Sequence, residues 1–179
     1  MAPPTSKIQD DIAFFSTTTL GAPLLSDPSY STRPDTNPPF IDPLLVTIAR
    51  TPDAIRRCLY VYRSTPEPEG HLLVHVGPGV CGQTGVAHGG FLATVMDEVC
   101  GAIVPCTGLD GGIGMFTVAL NMAYKRPVAV PESGAVIAAT VKVKRVEGRK
   151  IFFEAVIRNE AGEVCTTAET LFIRKKSAF

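Results

Sequence analysis

The chain has 179 residues, 45% of them apolar, and 17 Lys and Arg balanced by 17 Asp and Glu. That size fits one domain with an extension and supplies a real core. Zero net charge excludes the global basic field of a nucleic-acid or polybasic membrane binder. The balance is uneven, however: residues 121–179 hold 11 basic and 6 acidic side chains, with Lys142, Lys144, Arg145, Arg149 and Lys150 around one turn. Such a cluster is either a solvated hairpin rim or an edge for a phosphate-bearing substrate. The five cysteines lack a C-x-x-C pair and read as buried thiols of a reducing compartment, not a disulfide framework. No run of ~18–20 apolar residues, signal-peptide pattern or Ser-Lys-Leu ending is found, so a cytoplasmic location is expected and an organellar one stays open.

Residues 1–43 form a Pro-, Ser- and Thr-rich extension in which Lys7–Phe15 suits a short helix, with Ile8, Ile12 and Phe15 on one stripe. The main domain is expected over 44–179. Ile55–Ser64 and His71–Val76 read as strands around a Pro/Glu/Gly turn, followed by a Gly-rich loop. Residues 89–104 are apolar almost all round and predict a helix buried on most sides, ended by Pro105 and Gly108. Gly114–Lys125, Ser133–Val146, Arg149–Asn159 and Glu163–Arg174 then alternate as strands joined by short turns. The fold class is therefore α+β: a five- or six-stranded antiparallel sheet wrapped around one long helix.

The most informative stretch is His88-Gly89-Gly90 at the start of that helix, with Asp97 inside it. A helix N-terminus presents unpaired N–H groups to developing negative charge. A carboxylate on an apolar helix is costly unless it is used. Together they suggest attack on a carbonyl. Asp97 is the candidate nucleophile or general base, and the Gly89 N–H the candidate oxyanion donor. Glu98, 100° further round, reads as a surface or ion-pair residue. His71 and His75 lack a third ligand, so no metal site is assigned.

Val86-Ala87-His88-Gly89-Gly90, Asp97, and the strand Asn121-x-x-Tyr124-x-x-Pro127 resemble the phenylacetic-acid-degradation and thioesterase-superfamily-member branch of hot-dog acyl-CoA thioesterases, over roughly residues 55–175. The resemblance implies the hot-dog fold, thioester hydrolysis without a cofactor, and a dimer as the working unit, with a dimer of dimers as an alternative. Spacing argues independently for the dimer. Eight residues separate Gly89 from Asp97, about 12 Å of helix, whereas groups acting on one carbonyl must lie within roughly 3–3.5 Å of it. Two antiparallel helices can supply Gly89 from one subunit and Asp97 from the other.

The resemblance further implies that the Thr117 hydroxyl holds the attacking water. Where relatives carry an Asn six residues before the His, this chain has Gly82, and neighbouring Gln83 is the candidate replacement. His88 and Gly90 are expected to position substrate. Lys125, Arg126, Lys142, Lys144 and Arg145 are candidates for the coenzyme A phosphates, and Phe91, Met96 and Met115 for the acyl pocket. Alternatives are a hot-dog dehydratase or hydratase pairing His88 with Asp97, a non-catalytic acyl-CoA or acyl-carrier binding module, and a thioesterase acting on a carrier-bound chain.

Overall fold

The computed structural model describes residues 4–33, 43–51 and 53–176. In chain order these form α1 (Pro4–Phe15), α2 (Ala22–Ser26), β1 (Ser31–Thr32), α3 (Pro43–Arg50), β2 (Ile55–Arg63), β3 (Glu69–Val76), a 3-10 turn (Pro78–Val80), β4 (Cys81–Gln83), β5 (Val86–Ala87), α4 (Gly89–Thr107), β6 (Met115–Tyr124), β7 (Ala135–Glu147), β8 (Lys150–Asn159) and β9 (Val164–Arg174). The main sheet has the order β1-β2-β3-β7-β8-β9-β6, antiparallel throughout, and β4 and β5 make a separate small hairpin. Six long strands agree with the expected count, and the two-residue β1 adds a seventh at one edge.

The sheet wraps α4 because period-2 alternation puts one apolar row per strand on its inner face. Leu72, Val74 and Val76 of β3, Ile137, Ala139 and Val141 of β7, and Ile151, Phe153, Ala155 and Ile157 of β8 meet Leu92, Val95, Met96, Val99 and Ile103 of the helix. The helix runs past Pro105 to Thr107 and ends at Gly108 in the left-handed region (φ 66°), a turn beyond the expected stop. In the last turn Pro105 removes a single N–H, while Cys106 Sγ and Thr107 Oγ1 bond back to the Ala102 and Ile103 carbonyls at 3.4 and 2.9 Å. By length and composition this helix could cross a membrane, which the sequence reading missed because Asp97 and Glu98 interrupt the apolar run. Here the sheet wraps its apolar side. Met96, one of the residues expected at an acyl pocket, is fully buried in this core.

Burial is not uniform round α4. Gly90, Ala93, Thr94, Asp97, Glu98 and Gly101, spaced by three and four residues, remain half-buried or exposed. This stripe of mostly small side chains is the face the sheet leaves open, and Asp97 lies in it.

The outer face of the sheet carries a second core. Phe15 is fully buried, and Ile8, Ile12, Phe14, Leu20, Leu24, Leu25 and Tyr30 cover Leu59, Val61, Leu73, Val136 and Ala138. Residues 8–30 of the N-terminal extension thus pack on β2, β3 and β7. The Asp11 side chain is buried there against Arg57 at 3.0 Å.

Glu69, also buried, meets Arg63 Nη2 at 2.8 Å, His71 Nε2 at an oblique 3.3 Å and Lys142 Nζ at 3.5 Å. The His71 contact first, then the charges of Lys142 and Arg63, hold its carboxyl down from 4.5 to about 2. A carboxyl lowered on folding contributes stability that is complete above its unfolded pKa and is lost as pH falls toward the folded one. Thermal melts should therefore show a progressive loss between pH 4.5 and 2. In Glu69→Gln that part of the acid dependence should disappear, and an unchanged dependence would assign it to other groups.

Candidate active site

The sequence Val80-Cys81-Gly82 through His88 folds back so that His88 N–H donates to the Val80 carbonyl at 2.8 Å. His88 then caps α4: its backbone is extended (φ −64°, ψ 134°) and its Nδ1 accepts the Gly90 N–H at 2.9 Å. Nδ1 as acceptor leaves the proton of a neutral imidazole on Nε2. The ring fits because both neighbours lack a side chain. A Cβ at Gly82 would lie 2.5 Å from His88 Cδ2, and one at Gly90 2.9 Å from Nδ1. Glycine at 82, where the resemblance led to an Asn, is thus the steric partner of this cap.

Capping accounts for Gly90, and Leu92 N–H donates to the His88 carbonyl at 3.1 Å. Among the described residues no hydrogen bond engages the Gly89 N–H, the first orphan donor of the helix. The Gly89 carbonyl accepts the Tyr124 hydroxyl at 2.8 Å.

Asp97 is half-buried, and its Oδ1 accepts the Thr117 hydroxyl at 2.8 Å. The pairing depends on a bulge. In β6, Thr117 pairs with Phe172 and Ala119 with Leu171, so Val118 is an extra residue. Thr117 and Tyr124 are seven apart and would point to opposite faces of a regular strand. The bulge changes the parity, and both reach α4: Thr117 at Asp97, Tyr124 at Gly89. One strand therefore ties down both chemically distinctive points of the helix. Sequence reasoning left Tyr124 without a role; its place in the Asn121-x-x-Tyr124-x-x-Pro127 motif was the available signal.

The other candidates lie elsewhere. Gln83 is exposed on the β4–β5 hairpin, and no hydrogen bond among the described residues joins it to Asp97 or Thr117. Lys125 and Arg126 follow Tyr124 directly and are exposed, with Arg126 Nε 3.6 Å from Glu163. Lys142, Lys144 and Arg145 sit on β7 beside their own carboxylates. Glu69, Lys142 and Glu154 align across β3, β7 and β8, and Lys144 Nζ reaches Glu154 at 2.6 Å and Glu169 at 2.8 Å. Arg145 meets Glu147 at 2.7 Å and stacks over Phe152. These three cations of the cluster are thus each beside a carboxylate. His71 faces Thr140 and His75 stacks on Phe14. Among the described residues no three His, Cys, Asp or Glu side chains are grouped to hold a metal ion.

Residues 84–166 match the family model of the thioesterase superfamily. Acyl-coenzyme A thioesterase THEM4 of Xenopus laevis is 36% identical over 103 residues, covering 57% of this chain and 43% of that protein. THEM4 of Bos taurus is 30% identical over 115 residues, covering 64% and 44%. The chain thus spans less than half the length of these curated relatives. Among solved structures, a Thermus thermophilus protein superposes with a TM-score of 0.58 at 19% identity, covering 76% of this chain and 100% of that one. A hypothetical thioesterase protein of Streptococcus pneumoniae, solved with coenzyme A, gives 0.56 at 17% identity, covering 67% and 91%. The likeness to these two structures shows a hot-dog fold, and within it the stretch 84–166 is similar to the thioesterase superfamily.

Proposed function

We propose that this protein hydrolyses acyl-CoA thioesters at sites shared between two subunits. The observation that carries the reading is the pair of tethered groups on one helix: the Asp97 carboxylate held by Thr117, and the open Gly89 N–H. Gly89 binds the thioester oxygen as it gains negative charge, aided by the helix dipole. Asp97 either removes a proton from the attacking water or attacks the carbonyl itself to give an anhydride that water then opens. In both routes the C–S bond breaks, and the products are a carboxylic acid and the coenzyme A thiol.

The two-subunit site is supported by distance and by surface. About 12 Å of helix separates the groups, too far for one carbonyl. The edge of β6 has no strand beside it among the described residues, and it exposes Phe116, Val118 and Tyr124. A long apolar open edge calls for a cover, and a second copy of β6 across a twofold axis would bring the two α4 helices together. The His88 cap argues for hydrolysis over dehydration, since Nδ1 is committed to Gly90. Because Lys125 and Arg126 directly follow Tyr124, whose hydroxyl reaches Gly89 at the start of α4, we assign the coenzyme A phosphates to them. Lys125→Glu should then raise KM severalfold in low salt with little effect in high salt; an unchanged KM removes that assignment. Thr117→Val, which leaves Asp97 without its donor, should lower kcat roughly 10-fold, and full activity would mean the hydrogen bond is dispensable.

The test is a free-thiol assay over acyl-CoAs of graded length and over acyl-carrier substrates. Thiol release from acyl-CoA supports the reading, and release from carrier substrates alone replaces its substrate. Tight binding without release would make this a binding module.

A further inference from the structure

We propose that Tyr124 is a positioning residue for the oxyanion donor, acting with His88 on a single peptide group. The carbonyl of Gly89 and the N–H of Gly90 are the two ends of one amide. Tyr124 donates to the first at 2.8 Å and His88 Nδ1 accepts from the second at 2.9 Å. Hydrogen bonds at both ends of an amide polarise it cooperatively and fix its plane. The Gly89 N–H belongs to the preceding peptide, whose own carbonyl, that of His88, is held by Leu92 N–H at 3.1 Å. With both planes held, the φ and ψ of Gly89 between them are restrained and the N–H keeps one direction. With Gly90 consumed, Gly89 rather than its neighbour is left as the donor.

The rest of the environment fits this clamp. The Tyr124 ring lies against Gly89, with the position of a Cβ 3.4 Å from Cζ. The strand end behind Tyr124 is anchored where Lys125 N–H and Arg126 N–H both reach the Cys165 carbonyl, at 2.7 and 3.1 Å. A few residues on, Ala87 N–H donates to Val128 O at 3.0 Å and Val130 N–H to Gly85 O at 2.8 Å, which joins the same segment to the loop before the helix. The opposite jaw, His88, has its ring seated on Gly82. The bulge at Val118 lets one strand carry both this clamp and the Thr117 tether.

The inference rests on the thioesterase reading for its kinetic consequence but not for its geometry, so two readouts are needed. Tyr124→Phe keeps the ring and removes the hydroxyl. It should lower kcat for acyl-CoA about 5- to 10-fold at nearly constant KM, and shift the Gly90 amide resonance. Gly82→Ala displaces the His88 ring from the other end and should do the same. The double variant should lose scarcely more kcat than the worse single one, because both act on one peptide. A Tyr124→Phe protein with unchanged kcat, or fully additive losses, overturns the clamp. If the wild type releases no thiol from any acyl-CoA, the functional reading fails, and the Gly90 resonance decides alone: a shift in both variants retains the clamp, and no shift discards it.

Discussion

Asp97→Ala is expected to abolish thiol release, with kcat falling by about 10²–10⁴, the range of a lost general base or more. It should leave the melting temperature nearly unchanged. Asp97 lies on the half-open stripe of α4, outside the core, and its partner Thr117 is exposed enough to turn to water. A large kinetic effect without a stability effect separates a reagent from a structural carboxylate. Single turnover in ¹⁸O-labelled water then tests for the covalent route. Label in the Asp97 side chain means that an anhydride formed there and was opened by attack on its aspartyl carbonyl. Label confined to the product acid of the first turnover means that water attacked the acyl carbonyl, either of the thioester under Asp97 base catalysis or of the anhydride. Trapping of an acylated Asp97 then separates these two. Activity surviving Asp97→Ala would remove the residue from the mechanism.

Gly89→Pro should be nearly as damaging, and for a reason the backbone makes testable. Proline deletes one N–H and nothing else if its conformation is accepted. Gly89 is the first residue of α4, where proline is well tolerated. His88 before it is extended, as a residue preceding proline must be. The helix should therefore fold while the oxyanion donor is gone, costing about 2.7–4 kcal/mol of transition-state stabilisation, or roughly 10²–10³ in kcat. Gly89→Ala is the control. Its Cβ meets Tyr124 at an ordinary 3.4 Å and the N–H remains, so most activity should be retained. Equal activity of the proline and alanine variants would mean that this N–H binds nothing in the reaction.

The fold was legible because β8 alternates with period 2, because β3 and β7 are short apolar runs bounded by turns, and because an apolar 19-residue helix leaves one place to be buried. The places of Gly89 at the start of α4 and of Asp97 within it were legible from the apolar run between His88 and Gly108. Three features were hidden by geometry that sequence spacing does not carry. The Val118 bulge changes the parity of β6, so Thr117 and Tyr124 share a face that strict alternation denies them. The carboxylates opposite Lys142 and Lys144 come from β3, β8 and β9, so the cluster looks bare along the chain and is paired across it. Gly82 read as a missing amide, whereas its lack of a side chain seats His88. The extension is a further case: its Pro-rich composition suggested an arm, and the stripe Ile8, Ile12 and Phe15 was the sign that part of it covers the sheet.

The central claim is that each site takes Gly89 from one subunit and Asp97 from the other, and subunit complementation measures it. Asp97→Ala and Gly89→Pro chains, each inactive alone, are co-expressed with different tags, and the heterodimer is isolated through both. One of its two sites then combines an intact Gly89 with an intact Asp97, so about half of wild-type activity per dimer should return under twofold symmetry. A heterodimer as inactive as its parents would contradict the shared site, and with it the account of how this helix works.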